Sequence, residues 1–252
     1  MLKCALVKSA LVLCGLVVSS SAWAGIVNGG FESGLTGWTV QTSDDGSNNG
    51  WSGSATVVND YYYSGGSSLR GSASVNGDYS YWAEDDWSRT YAWSDSANLN
   101  GSTSIKFYLT DFQSNPPADS WGWGQEIYLL LNDGVHQAGV MVIQNHEPTY
   151  TSLFDLGLYT PSTGDDGRTW YCFDVPLNAD AANFGSAFGN LDLANTKIGF
   201  EWEALSWFSQ PQTMLASAVI DDVSLQPVPE PSGLLALAGG IGCLAPILRR
   251  RR

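Results

Sequence analysis

The sequence predicts an all-β sandwich, set between two short terminal segments of a different character. Two observations carry the β assignment. Clusters of turn residues recur along residues 25–228: Asp44-Asp45-Gly46, Ser64-Gly65-Gly66, Asn76-Gly77, Asn132-Asp133-Gly134 and Asp165-Asp166-Gly167. Between them, apolar and polar residues alternate. Ile105, Phe107 and Leu109 share one face, with Lys106, Tyr108 and Thr110 opposite; Ile198, Phe200 and Trp202 alternate with Gly199, Glu201 and Glu203. A third observation bounds the class. Helix signals are scarce and strands do not alternate with helices, so the pattern argues antiparallel sheets packed face to face. About 200 residues suit one domain with a sizeable core. Residues 125–131 and 138–144 read as a hairpin around Asn132-Asp133-Gly134.

Residues 1–24 read as a signal peptide. Lys3 and Lys8 supply the positive start, Ser9 to Val18 is an apolar run, and Ala22-Trp23-Ala24 is a small-residue cleavage site that makes Gly25 the mature start. Cys14 follows the large Leu13, which makes a poor lipoprotein site. The other end has three parts in order: Pro229, Glu230 and Pro231; an apolar stretch from Gly233 to Leu248; and Arg249, Arg250, Arg251 and Arg252. The stretch is slightly short for a bilayer span, and Ser232 and the arginine stems extend it. Four arginines after an apolar segment stay cytoplasmic, which places residues 25–228 outside.

Charge and cysteines narrow the classes further. The chain carries −14. Six of the 11 basic residues lie in the two ends, leaving five, whereas only Glu230 of the 25 acids lies there, leaving 24; residues 25–228 are therefore near −19. Such a surface repels phosphate backbones, which argues against nucleic acid as a partner, and suits divalent cations. Cys4, Cys14 and Cys243 lie in the ends, so Cys172 is alone in the middle and no internal disulfide can form there. Cys172 reads as a packed thiol between Tyr171 and Phe173, with a reactive thiol as the alternative.

The tail, in its three-part order, resembles the PEP-CTERM sorting signal of Gram-negative bacteria. The resemblance implies recognition by an exosortase, a temporary inner-membrane anchor with the main domain in the periplasm, and a final place at the cell surface or in an exopolysaccharide matrix. Residues 25–228 open with Ile26-Val27-Asn28-Gly29-Gly30-Phe31-Glu32-Ser33-Gly34 and Gly37-Trp38, continue through Tyr63-Ser64-Gly65-Gly66-Ser67-Ser68-Leu69-Arg70, and close with Ala218-Val219-Ile220-Asp221-Asp222-Val223-Ser224-Leu225. This trio resembles the galactose-binding-like jelly rolls, which include several carbohydrate-binding module families. The match is good at both ends and weak from 75 to 195. It implies a jelly-roll β-sandwich.

A first strand that pairs with the last would bring Glu32 and Asp221 together. Ca²⁺ takes about six to eight oxygens from carboxylates and backbone carbonyls. The resemblance implies a structural calcium site here, held by Glu32 and Asp221 with carbonyls near Gly65 to Ser67; Asp222 replaces Asp221 if the face is reversed. The alternative is that Glu32 caps a turn and the aspartates are solvated.

Catalytic signatures are weak. His136 and His146 have no tight metal spacing, and no G-x-S-x-G elbow, P-loop or dinucleotide fingerprint occurs. Glu84-Asp85-Asp86 and Asp165-Asp166 are sequence neighbours, which on a strand point to opposite faces, so they read as exposed loops rather than a hydrolytic pair. The aromatic residues are more informative. Eleven tryptophans and 11 tyrosines exceed what one small core needs, and many sit among polar residues. Core packing claims most of them; an exposed ring can stack on a sugar while nearby polar groups fix its hydroxyls. Trp121 and Trp123 are the first candidates, followed by Trp87 and Tyr62. The sequence thus reads as a non-enzymatic exported surface or matrix protein that binds carbohydrate. A structural matrix or adhesion protein without a ligand, and a glycan-acting hydrolase, remain open.

Overall fold

A computed structural model describes residues 25–44, 50–76, 86–114, 124–145, 151–180, 182–206 and 213–228. The leader with Ala22 and Ala24, the tail with Pro229 to Pro231 and Arg249 to Arg252, and Trp121, Trp123 and His146 lie outside the described residues. Among the described residues no helix is long and apolar enough to cross a membrane.

Among the described residues, eleven strands form two antiparallel sheets: β1 (Trp38–Asp44), β2 (Ser52–Val58), β3 (Ser68–Asn76), β4 (Asp86–Ser94), β5 (Ser102–Ser114), β6 (Gln125–Asn132), β7 (Gln137–Asn145), β8 (Thr160–Thr163), β9 (Thr169–Pro176), β10 (Lys197–Ser206) and β11 (Thr213–Pro227). The five-stranded sheet runs β1-β4-β10-β6-β7 and the six-stranded sheet β2-β3-β11-β5-β9-β8. One short 3-10 turn, Ser186–Asn190, interrupts the loop before β10. The alternations read from sequence survive: Ile105, Phe107 and Leu109 are fully buried, as are Ile198, Phe200 and Trp202. The 125–131 and 138–144 segments form the expected hairpin, β6–β7.

Between the sheets lies one continuous core that includes Phe31, Leu69, Phe107, Leu129, Phe173, Phe200 and Trp202. Aromatic rings meet edge to face and in offset stacks: Phe107 lies 5.3 Å from Phe173 and 5.0 Å from Phe200, centroid to centroid. Trp202 on one sheet reaches across to Gly71 on the other, where an added Cβ would fall 2.1 Å from Trp202 Cε2. Gly71 is therefore required by ring packing between the sheets.

The opening segment departs from expectation. Residues 25–37 are turns rather than a strand, and β1 pairs with β4 in the five-stranded sheet, not with β11. Local chemistry explains this. Asn28 adopts φ 54°, and its side chain donates to Gly34 O at 2.8 Å and accepts from Ser33 N at 3.0 Å. The coil this creates drives Phe31 into the core beside Trp38, at 5.1 Å. Contact with the last strand is one backbone bond, Val223 N donating to Gly29 O at 3.0 Å.

Gly71→Ala overpacks this core and is expected to lower stability by about 1–3 kcal/mol. Gly189→Ala, where nothing lies within 4 Å of the added carbon, is the matched control. Urea midpoints of the two variants check the difference.

Candidate functional site

The outer face of the five-stranded sheet gathers charged and aromatic side chains in ordered rows. Alternation along β4 turns Trp87, Arg89, Tyr91 and Trp93 to this face, and the same rule turns out Glu201 and Glu203 from β10 and Glu126 and Tyr128 from β6. Register then aligns them across the strands. Tyr91, Glu201 and Tyr128 form one row, and Arg89, Glu203 and Glu126 the next. Trp93, Gly199 and Leu130 form a third.

Carboxylates dominate one end. Glu126, Glu201 and Glu203 are each at most 6% exposed. Arg89 serves two of them: its Nε lies 3.1 Å from Glu201 Oε1 and donates to Glu203 Oε1 at 2.5 Å. Its guanidinium also sits 4.6 Å over the Trp87 ring. Tyr128 donates its hydroxyl proton to Glu126 Oε2. One cation for three buried carboxylates leaves them under-compensated. Burial pushes the Glu201 carboxyl up to about 7; Glu203 adds to the shift and Arg89 opposes it. Burial likewise raises Glu203, with Arg89 opposing. These strand positions point outward but are covered.

Aromatic and amide groups dominate the other end. A Cβ on Gly199 would fall 2.3 Å from Trp93 Cε3, so the Trp93 ring lies over a residue that has no side chain. Tyr91 stacks beside it at 6.0 Å and 11°. Trp93 lines a cavity of about 230 Å³ together with Gln41, Asn132, Asp133, Asn195 and Lys197. Asp133 is locked into the rim. It accepts from the backbone N–H groups of His136, Asp192 and Val135, which hold its carboxyl well below the usual carboxylate range. The cavity therefore offers a ring, amides, an ammonium and a fixed carboxylate.

Of the sequence candidates, Trp87 lies on this face. Tyr62 lies elsewhere, in the loop before β3, where its backbone N–H donates to Asp166 Oδ2 at 3.2 Å. Tyr91 and Trp93 belong to the wider set of aromatic residues with polar neighbours, though they were not ranked first; Gln41 and Lys197 were not named from sequence. A usable signal existed: Trp87, Arg89, Tyr91 and Trp93 are spaced by two, which fixes all four on one face of a strand.

Glu32 and Asp221 do converge, although their strands do not pair. Both grip the loop between β2 and β3. Glu32 Oε1 accepts from Gly66 N at 2.8 Å and Ser67 N at 3.0 Å. Asp221 Oδ2 accepts from Tyr63 N at 2.7 Å and Ser64 N at 3.3 Å, and Oδ1 from Asp222 N at 2.7 Å. A register shift in β11 between Asp221 and Ser224, with Asp222 at φ 48°, aims these carboxylates at the loop. Asp222 in turn accepts from Ser64 Oγ at 2.8 Å. The oxygens expected to hold calcium thus meet peptide N–H donors. Among the described residues no group of three or more His, Cys, Asp and Glu side chains could hold a metal ion. As arranged, the corner fits a hydrogen-bonded clamp better than a calcium site.

No family model matches the sequence, and no curated protein matches it. Among solved structures, similarity extends to a family 11 carbohydrate-binding module from Clostridium thermocellum in complex with a β-1,3-1,4-mixed-linked tetrasaccharide, at 16% identity and TM-score 0.41, over 83% of this chain and 99% of that one. A structure from work on promiscuous specificity in β-sandwich carbohydrate-binding modules is similar at 10% identity and TM-score 0.40, over 79% of this chain; this chain spans 60% of its length. The K1 cleaved adhesin domain of Lys-gingipain from Porphyromonas gingivalis is similar at 13% identity and TM-score 0.36, over 79% and 96% of the two chains. At such scores these likenesses add nothing to what the site geometry says.

The titrations set a pH dependence. Glu201 and Asp221, whose ordinary values are 4.5 and 3.8, are both pushed up to about 7 by burial. Folding takes up protons between those limits, so stability rises as pH falls through that window. Asp133, Asp155 and Asp166 are lowered from 3.8, so their contribution is lost as pH falls below it. The melting temperature is expected to rise from pH 8 to pH 5 and to fall below pH 4, with Glu201→Gln flattening the upper limb. A melting temperature level from pH 5 to 8 contradicts this.

Proposed function

We propose that the domain is a non-enzymatic carbohydrate-binding β-sandwich that uses the outer face of its five-stranded sheet. The observation that carries this reading is Trp93, laid over Gly199 and lining a cavity with Gln41, Asn132, Asn195 and Lys197. Saccharide recognition needs an apolar ring for the C–H face of a pyranose and convergent polar groups for its hydroxyls. The leader and tail support export, exosortase processing and a final place at the cell surface or in an exopolysaccharide matrix.

A hydrolytic reading has one observation in its favour: Glu201 and Glu203 share this face, and Glu201 is raised into the neutral range by burial. The arrangement serves it poorly. A glycosidic bond is cleaved by carboxyls that flank it. These two project from one strand to one side and share Arg89. Release of reducing ends from a polysaccharide, lost in Glu201→Gln, would restore that reading.

Affinity electrophoresis of the full chain through gels containing mixed-linkage β-glucan, xylan or galactomannan tests the proposal. Trp93→Ala is expected to weaken retardation by about 2 kcal/mol, the size of an interface hot spot. Gln41→Ala and Lys197→Ala, which leave the ring packing alone, are expected to weaken it less. Unretarded wild-type protein on every polysaccharide would favour a purely structural matrix role.

A further inference from the structure

The five cations of residues 25–228 are not distributed at random. Arg70 pairs with Asp111, Arg89 with Glu201 and Glu203, and Arg168 with Asp166. Among the described residues, Lys106 and Lys197 have no carboxylate within ion-pair distance. In so acidic a domain this needs a reason, because partners are abundant. Each unpaired lysine lines a cavity, and the two cavities lie on opposite sheets.

The cavity at Lys106 is the larger, about 650 Å³. It runs along the outer face of the six-stranded sheet. Register sets Lys106 on β5 directly opposite Asp174 on β9, and Tyr108 opposite Cys172. Lys106 makes no ion pair with this neighbour; its Nζ lies 5.2 Å from the centroid of the Tyr108 ring. The aromatic wall is held from behind. Tyr63 stacks on Tyr108 at 3.4 Å and 13°. Tyr159 borders the groove, but its ring turns inward, onto Phe154, Tyr171 and Phe173. Ser162 and Gln226 complete the polar lining.

This combination has a chemical meaning. Lys106 donates and Asp174 accepts, side by side on adjacent strands, and their charges cancel. Neighbouring hydroxyls on a pyranose accept from one such group and donate to the other, while the rigid Tyr108 ring packs against the sugar's C–H face. A cation or anion would find no net charge to hold it. We propose that this groove is a second saccharide site for neutral pyranoses, independent of the Trp93 face, so that one domain holds two glycan strands on opposite sides. Two such sites would cross-link a matrix and gain avidity without new contacts.

The test uses the purified full chain and the same neutral polysaccharide gels, with a second readout local to the groove. Cys172 is half-buried and lines it, so maleimide labelling of Cys172, read by peptide mass spectrometry, reports occupancy. Xylan or β-glucan is expected to slow that labelling about tenfold at saturation, and the Lys106→Ala/Asp174→Ala variant to remove the protection. Trp93→Ala and Gln41→Ala are expected to keep both the protection and part of the retardation. If those front-face variants abolish all retardation and no polysaccharide protects Cys172, the second site is wrong and the front-face reading stands. If the groove variant alone abolishes retardation, the second site stands and the front-face reading falls. If nothing is retarded and Cys172 is never protected, both fall. Unchanged melting temperatures show that each variant is folded.

Discussion

Asp221 is wholly buried, and no cation neutralises it among the described residues. Its stabilisation comes from backbone N–H groups of Tyr63, Ser64 and Asp222. Burying a carboxylate is tolerable only when its lone pairs are met in this way. Much else follows from that bond set. It pins the β2–β3 loop to the outer face of the six-stranded sheet, where Tyr61 and Tyr63 pack with Tyr108, Trp170 and Val219 in a second, smaller core. Tyr63, so placed, fixes the ring of Tyr108 and thereby one wall of the larger groove. Glu32 ties the opening coil to the same loop. A domain without an internal disulfide thus closes its two ends through carboxylate–amide bonds.

The same chemistry explains how so acidic a chain folds. Many of its acids act as acceptors for peptide N–H, Asp166 in addition to its ion pair with Arg168. Asp133 takes three such bonds, Asp155 bonds Ser152, and Asp166 bonds Arg168 and Tyr62. These carboxylates cap turns in which a backbone donor would otherwise be unsatisfied. Few basic residues are then needed for stability. Those that remain unpaired, Lys106 and Lys197, line the two grooves.

The sandwich class, the buried faces of β5 and β10 and the β6–β7 hairpin were legible in the sequence, because a period of two leaves a direct trace. The convergence of Glu32 and Asp221 was legible too, but its reason was not. The expectation rested on paired first and last strands, whereas Asn28 and Phe31 at positive φ turn the opening segment into a coil. Nothing in the residue string announces that coil. The proposed binding face was half legible. Trp87 was named, and register, which sequence does not give, places Tyr91 beside Glu201 and Trp93 over Gly199. The covering of Glu201 and Glu203 was not legible for the same reason: alternation tells which way a side chain points, not what covers it. Tyr62 lies apart from that face, in the loop before β3, between Tyr61 and Tyr63, which are occupied in packing.

The central claim is that carboxylates, through backbone N–H donors, hold the loop on which the six-stranded face is built. Amide hydrogen exchange at Tyr63, Ser64, Gly66 and Ser67, followed with and without EDTA, tests it directly. The account predicts slow exchange at all four amides, unchanged by the chelator, with protection at Tyr63 and Ser64 lost in Asp221→Asn. Exchange at the rate of an open loop in the wild type, or protection that disappears when EDTA is added, would contradict it.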